Sequence, residues 1–214
     1  MNAVEVEALR FGYDDQLTVD IGEFALEQGQ SVAVIGPSGC GKTSFLHLLA
    51  GLLRPQSGTV RLLGQDLAEL RGASMDRFRG QNIGLVLQRF HLIKALTVRE
   101  NVLLASKLSR AKADGETVDA LLKRLNIDAV AQHKPSMLSQ GQAQRAAIAR
   151  ALVHKPPIVM ADEPTSALDD EHAAEAIGLL RDAVSEAGAT LIVVTHDQRI
   201  RGTLDRDFDF GVSS

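Results

Sequence analysis

Residues 36–44 read Gly-Pro-Ser-Gly-Cys-Gly-Lys-Thr-Ser, and this stretch decides the class of fold. Closely spaced glycines allow successive backbone N–H groups to converge on one anion. The lysine adds positive charge for the outer phosphates of a nucleotide, and the threonine hydroxyl suits Mg²⁺. The pattern therefore predicts a phosphate-binding loop whose contacts come from Gly36, Pro37, Ser38, Gly39, Cys40, Gly41, Lys42, Thr43 and Ser44.

The flanking residues place this loop between a strand and a helix. Residues 31–35 are an apolar run, and residues 43–50 are rich in helix formers. A helix that opens at Lys42 directs its positive dipole end toward the same anion. The alternative is a glycine-rich turn between an ordinary strand and helix, which requires neither the lysine nor the threonine. The combined pattern favours nucleotide binding.

Length and composition limit the class of protein. The 214 residues suit one α/β domain, and 45% hydrophobic with 23% charged residues is typical of a globular protein. A net charge of −4 argues against a nucleic-acid partner bound through a broadly basic surface.

No run reaches the roughly 18 apolar residues of a membrane span, and the acidic start is unlike a signal peptide, so we expect a cytoplasmic location. The single cysteine, Cys40, is expected to be a small loop residue and not a nucleophile.

The apolar runs predict two kinds of strand. Near-continuous, β-branched runs at 31–35, 83–87, 158–161 and 191–195 are typical of strands buried on both faces of a parallel sheet. Shorter runs at 4–9, 17–21 and 24–26 predict an antiparallel edge. Ligands of such sheets bind at the carboxyl ends of the parallel strands.

The segment between Gln88 and Ser139 has no buried strand pattern. A capping box at Thr97 and Glu100 opens a predicted helix, and residues 118–125 predict another. We therefore expect a helical subdomain within this segment.

A second group of motifs lies in the later half of the chain. Residues 138–142 read Leu-Ser-Gln-Gly-Gln, in which Ser139 and Gln142 form a capping box; taken alone, this is a well-capped helix. The apolar strand that follows ends in Asp162 and Glu163, and His196 follows the next strand.

In this order the motifs resemble the nucleotide-binding domain of the ATP-binding cassette (ABC) family. Residues 36–43 match Walker A, Gln88 the Q-loop, residues 138–142 the signature, Asp162 the end of Walker B, residues 166–169 the D-loop, and His196 the H-loop. The signature departs from its commonest form because Gln140 replaces a glycine. The resemblance implies a P-loop NTPase core of α/β class with a mostly parallel sheet, an antiparallel β edge subdomain and an inserted helical subdomain. Residues 1–87 and 150–214 would form the core with the β subdomain, and residues 88–149 the helical subdomain.

The resemblance also implies ATP as the nucleotide, Mg²⁺ as the metal, and hydrolysis as the reaction. Asp162 would hold Mg²⁺ together with Thr43 and Gln88, while Glu163 would polarise the water that attacks the γ-phosphate. Strand alternation predicts that these adjacent carboxylates point in different directions. His196 would contact the γ-phosphate, and the catalytic group is thus Glu163, His196 and Gln88. The simpler interpretations are that His196 is a structural histidine and that Gln88 is a surface glutamine.

The signature residues Ser139, Gly141 and Gln142 would bind the phosphates of a second copy, because in this fold they lie far from Walker A of their own chain. The implied assembly is a head-to-tail homodimer that traps two ATP molecules and reopens on hydrolysis.

An aromatic residue is expected to stack on adenine. Tyr13 occupies the position of this residue in the family, but Phe11 faces the same side of a strand and is an alternative. Core packing is the other explanation for both rings.

The segment 83–102 resembles the branch that holds LolD, MacB and FtsE. That branch implies an integral membrane permease of FtsX/LolC/MacB type, to which the ATPase binds at the inner face of the cell membrane. It powers export or envelope mechanotransmission and does not contact the cargo. An importer subunit and a soluble ABC protein of repair or translation remain as alternatives.

Overall fold

The computed structural model describes residues 1–13, 16–109, 113–166 and 170–211 of the chain. In chain order its strands are β1 Asn2–Tyr13, β2 Gln16–Glu27, β3 Ser31–Ile35, β4 Ser57–Leu62, β5 Gln65–Asp66, β6 Ile83–Val86, β7 Ile158–Asp162, β8 Thr190–Thr195 and β9 Arg206–Asp209. Its helices are α1 Lys42–Leu49, α2 Ala73–Asn82, α3 Val98–Leu108, α4 Gly115–Arg124, α5 Gln140–Leu152 and α6 Asp170–Glu186. No helix in these ranges has the length and apolar character needed to cross a membrane.

These strands form two sheets. An antiparallel sheet has the order β2-β1-β4-β5, and a parallel sheet has the order β6-β7-β8-β3-β9. In the parallel sheet Ile35 is in register with Thr195, and Asp162 is in register with Val194. The carboxyl ends of β3, β8 and β7 therefore meet at one edge, and the α/β class predicted from the sequence is confirmed.

Apolar layers cover both faces of the parallel sheet. Ala33 and Ile35 of β3 belong to a buried cluster with residues of α3, α4, α5 and α6. The alternate residues Val32 and Val34 belong to a second cluster with α1 and the antiparallel sheet. This alternation confirms that the apolar runs form strands buried on both faces.

Three strands do not stand out in the sequence. Strand β4 has only two apolar residues, Val60 and Leu62, β5 is two polar residues long, and β9 contains only Phe208 as an apolar residue. The start of β9 is anchored through Asp205, whose Oδ2 accepts hydrogen bonds from the backbone N–H of Ser31 at 2.8 Å and from its hydroxyl at 2.7 Å. The predicted runs 17–21 and 24–26 are parts of the single strand β2.

Both helices predicted within the segment 88–149 are present; α3 begins at its predicted capping box, whereas α4 begins three residues before the predicted start at 118. The capping box at Thr97 is complete, with Thr97 N–H donating to Glu100 Oε2 at 2.8 Å and Glu100 N–H donating to Thr97 Oγ1 at 3.2 Å. The predicted helix at 118–125 is α4, capped by Asp114. These helices share one buried cluster with the parallel sheet, and α5 crosses the predicted boundary at 149, so the subdomain division stays a prediction.

A buried amide fixes the loop before α3. Asn101 is 2% exposed; its Oδ1 accepts from the N–H of Ile93 at 2.7 Å, and its Nδ2 donates to the carbonyl of Thr97 at 2.8 Å. The same Nδ2 also lies within hydrogen-bond distance of the carbonyls of Ile93 and Leu96. The carbonyls of Thr97 and Ile93 also accept backbone N–H groups, whereas the N–H of Ile93 and the carbonyl of Leu96 lie in the loop and are bonded by this side chain.

We expect Asn101→Ala to lower the free energy of unfolding by about 2 to 3 kcal/mol, because the substitution removes a buried amide that makes several hydrogen bonds to the loop and leaves the N–H of Ile93 and the carbonyl of Leu96 without that partner. The matched control is Asn82→Ala, which removes a single bond from Asn82 Nδ2 to the carbonyl of Phe78 at a half-buried site and should cost less than about 1 kcal/mol. Urea denaturation followed by circular dichroism measures both. Equal losses for the two variants would contradict the structural role of Asn101.

Candidate functional site

The phosphate loop, residues 36–41, connects β3 to α1. Gly41 has φ 102°, and a Cβ atom there would lie 2.3 Å from the carbonyl oxygen of Thr18. A Cβ atom at Gly36 would lie 2.7 Å from the carbonyl oxygen of Phe210. Side chains at these two positions would force the backbone apart, so the glycines are required by close packing as well as by conformation. Helix α1 begins at Lys42, as predicted.

Lys42 lies inside the turn of the loop. Its side chain is 5% exposed, and its Nζ donates to the carbonyls of Gly36 at 2.9 Å and Pro37 at 2.8 Å. The sulfur of Cys40, a half-buried residue, lies 3.9 Å from the same nitrogen. Gly36, Pro37 and Cys40 thus hold the lysine and form the base of the loop.

A cavity of about 280 Å³ lies beside the phosphate loop. Its lining consists of Thr18, Ser38, Gly39, Gly41, Lys42, Thr43, Ser44, Gln88, Glu163 and His196. Nine of these ten residues were predicted from the motifs. Thr18 was not, because it lies on β2 and reaches the loop through the packing of the antiparallel sheet against the start of α1.

Thr43 and Asp162 form a pair of oxygen ligands next to this cavity. Thr43 Oγ1 donates to Asp162 Oδ1 at 3.0 Å, and Asp162 is 5% exposed. Burial raises the pKa of Asp162, and the hydrogen bond from Thr43 opposes that effect. A hydroxyl and a carboxylate beside a phosphate loop fit Mg²⁺, which prefers oxygen ligands and takes the rest from phosphate and water. Among the described residues, no group of three or more His, Cys, Asp or Glu forms a separate metal site.

Glu163 follows β7 and has a left-handed backbone, with φ 48°. Its carboxylate accepts from Thr195 Oγ1 at 2.9 Å and from the backbone N–H of His196 at 3.1 Å, and the His196 ring nitrogen Nδ1 lies 2.9 Å from Oε1. Lys42 Nζ is 3.8 Å from the same oxygen. Asp162 and Glu163 serve different partners, as predicted, but strand alternation is not the reason. The chain leaves the strand at Glu163, and its left-handed turn carries the carboxylate toward β8.

Asp197 contacts the two threonines, Thr195 and Thr165, that lie next to Glu163 and His196. Its N–H donates to Thr195 Oγ1 at 3.0 Å, and its Oδ2 accepts from Thr165 Oγ1 at 2.8 Å. Hydrogen bonds from Arg199, and then from Thr165, lower the pKa of Asp197 to about 2. Asp197 is therefore charged at neutral pH, and its carboxylate bonds Thr165 and Arg199. The Thr195 hydroxyl, which donates to Glu163, is held by the backbone N–H of Asp197 and not by its charge.

Gln88 reaches the cavity from the edge strand β6. The strand ends at Val86 and not at Leu87, so Gln88 lies in the loop beyond it. Its Nε2 donates to Ser166 Oγ at 3.5 Å. Ser166 is the first residue of the predicted D-loop, and the other D-loop residues, 167–169, lie outside the described residues.

The structure distinguishes the two aromatic candidates. Phe11 is 8% exposed and belongs to the core, whereas Tyr13 is 50% exposed. The rings meet edge to face at a centroid distance of 4.8 Å. The hydroxyl of Tyr13 lies 3.5 Å from Ser44 Oγ at the start of α1. Tyr13 is thus the ring available for stacking, and Phe11 supports it.

The signature residues lie at the start of α5. Both hydrogen bonds of the capping box are present, since Gln142 N–H donates to Ser139 Oγ at 3.3 Å and Ser139 N–H donates to Gln142 Oε1 at 3.0 Å. Ser139 and Gly141 are exposed. Neither they nor Gln142 line the cavity beside the phosphate loop. The signature residues and the phosphate loop therefore lie at two separate places on the chain.

Comparisons with known proteins agree with this geometry. The profile of the ABC transporter family matches residues 19–166. The lipoprotein-releasing system ATP-binding protein LolD of Syntrophotalea carbinolica is 43% identical over 187 residues, covering 86% of this chain and 82% of the relative. LolD of Chromohalobacter salexigens is 40% identical over 200 residues, covering 92% of this chain and 84% of the relative.

Solved structures show the same fold. A dimeric post-hydrolysis state of the ATP-binding cassette MJ0796 with ADP and Pi has a TM-score of 0.85 and 31% identity, covering 97% of this chain and 95% of that chain. The structure of cbiO1 from Clostridium perfringens, part of the ABC transporter complex cbiONQ, has a TM-score of 0.82 and 29% identity, covering 92% of this chain and 79% of that chain. The chain belongs to the ABC transporter family and is an ATP-binding ATPase of that family.

Proposed function

We propose that two copies of this chain hydrolyse Mg²⁺-bound ATP at their shared interface and thereby drive a membrane permease of FtsX/LolC/MacB type from the inner face of the membrane. The observation that carries the proposal is the separation of two complementary half-sites on one chain. The phosphate loop opens into a cavity, whereas Ser139 and Gly141 are exposed at a helix start that does not line it. A second copy completes each site.

The nucleotide is held by groups already in place. Lys42 and the backbone N–H groups of the phosphate loop bind the outer phosphates, and Tyr13 stacks on adenine. Thr43, Asp162 and Gln88 would hold Mg²⁺, which would supply positive charge to neutralise the outer phosphates. These residues account for binding without any contribution from the signature.

Hydrolysis depends on the carboxylate of Glu163. It takes the proton of a water molecule as the oxygen of that water forms a bond to the γ-phosphorus and the bond to ADP breaks. Thr195 and His196 orient the carboxylate through the bonds measured above, and the ring of His196 also faces the γ-phosphate. The direction of the carboxylate is therefore set by β8, the strand beside β7.

The partner copy supplies Ser139, Gly141 and Gln142. Helix α5 is thirteen residues long, and its positive dipole end lies at these residues. Gln140 adds an amide at the first helical position, where it leaves the capping box intact. The dimeric form of the similar cassette MJ0796 supports this arrangement.

The relatives support the proposed permease class. LolD proteins at 43% and 40% identity, matched over most of both chains, support a role in lipoprotein release or a related export or mechanotransmission process. Residues 1–87 and 150–214 form the nucleotide-binding core with its β subdomain, and residues 88–149 form the subdomain that approaches the permease.

The loop after Gln88 is the contact with the permease. Ile93 is 45% exposed although Asn101 fixes its backbone, and Arg150 Nη1 donates to the carbonyl of His91 at 2.7 Å. A rigid backbone with an exposed aliphatic side chain fits an apolar protein partner. The loop begins at the cavity, and Gln88 lies only five residues before Ile93. A movement of Gln88 that accompanies nucleotide binding would therefore displace this contact.

Glu163→Gln is expected to lower the rate of phosphate release about a hundredfold or more while leaving the Kd for ATP within about twofold, because the amide cannot accept the proton. Glu23→Gln is the matched control at an exposed position of β2 and should change the rate by less than about twofold. Malachite green phosphate release and equilibrium dialysis with ATP measure the two quantities. A Glu163→Gln variant with near-normal turnover would exclude Glu163 as the base.

Ile93→Glu is expected to reduce copurification with a coexpressed permease of the FtsX/LolC/MacB type about tenfold, because a charge replaces the apolar contact. ATP binding should be unchanged. Leu108→Glu is the control, since Leu108 is 75% exposed at the end of α3. If Ile93→Glu copurifies as well as the unaltered chain, the loop is not the permease contact.

A further inference from the structure

A buried amide in α5 contacts the loop that carries Glu163. Gln144 is 3% exposed, and its Nε2 donates to the carbonyl oxygen of Pro164 at 2.9 Å. The neighbouring buried residues of α5 are apolar, with Ala147 and Ile148 fully buried. A buried polar side chain is costly without a partner, so this hydrogen bond fixes both the side chain and the carbonyl.

The loop that receives this bond has an unfavourable backbone. Glu163 has φ 48°, a conformation that residues other than glycine adopt only when their surroundings hold them. From the side of β8, Glu163 N–H donates to the carbonyl of Val194 at 2.8 Å, and Thr165 Oγ1 donates to Asp197 at 2.8 Å. Gln144 holds the same loop from the side of the helices. The position of Glu163 therefore depends on α5 as well as on β8.

Helix α5 also carries the signature. Ser139 is its N-cap, and Gln144 lies five residues further along, about 7 to 8 Å at the rise of an α-helix. A helix moves as a rigid unit over this distance, so a shift of its exposed end changes the geometry at Pro164.

We propose that Gln144 is a positioning residue that couples the two ATP sites of the dimer. Phosphate bound to Ser139 of one copy belongs to the ATP on the phosphate loop of the other copy. Through α5 and Gln144, that phosphate sets the position of Glu163 in the first copy, which acts on a different ATP. This inference rests on the proposed dimer and on the proposed role of Glu163.

The test compares Gln144→Met with Ile148→Val in the full chain. Gln144→Met keeps the length of the side chain and removes the donor, whereas Ile148→Val removes one buried methyl group from the same helix and leaves the bond to Pro164. We expect Gln144→Met to lower kcat for ATP about tenfold with KM within about twofold, since a misplaced catalytic group affects the chemical step. It should also speed amide hydrogen exchange of Glu163, Thr165 and Ser166 without affecting the N–H groups of α5. Ile148→Val should leave kcat within about twofold.

An unchanged kcat in Gln144→Met, or an equal loss of kcat in Ile148→Val, would overturn the proposal. Faster exchange throughout α5 in Gln144→Met would also overturn it, because the effect would then be general loosening of the helix. If the unaltered chain binds ATP and hydrolyses none, the proposed function fails. Amide hydrogen exchange of Glu163, Thr165 and Ser166 then tests by itself whether Gln144 positions this loop. Unchanged exchange in Gln144→Met overturns that role.

Discussion

The carboxyl ends of β7, β8 and β3 lie side by side, and the site depends on this alignment. Parallel pairing sets Ile35 beside Thr195 and Asp162 beside Val194, so the residues that follow each strand share one edge of the sheet. The phosphate loop, the metal-side carboxylate and the residues that orient Glu163 come from three distant parts of the sequence. Burial of both sheet faces fixes the register, because slippage would misplace every apolar side chain.

The residues of the site that follow local rules could be predicted from the sequence. Spacing alone places Lys42 and Thr43 at the start of α1, and the apolar run before Asp162 predicts its place at a strand end. The contact of Thr18 with Gly41 could not be predicted, because it depends on how the antiparallel sheet packs against α1. The left-handed turn at Glu163 was also beyond sequence reasoning, since glutamate has no preference for that conformation.

Buried amides connect the site to the rest of the molecule. Asn101 fixes the loop that leads away from Gln88, and Gln144 fixes the loop that carries Glu163. Both satisfy backbone groups that lie outside regular secondary structure, so both loops have defined positions in a fold that is otherwise held by apolar packing. The loop after Gln88 leads to the proposed permease contact. The loop that carries Glu163 is bonded to α5, the helix that begins at the proposed signature contact. Communication between nucleotide, partner copy and permease can thus use short polar links.

The central claim is that each ATP site requires two copies of the chain. Light scattering after size exclusion, applied to Glu163→Gln protein with and without Mg-ATP, tests it directly. The account predicts that Mg-ATP converts the 23.0 kDa monomer to a species of twice that mass, and that Ser139→Arg in the same background prevents the change. A monomer that persists with bound Mg-ATP, or a dimer that forms equally well with Ser139→Arg, would contradict it.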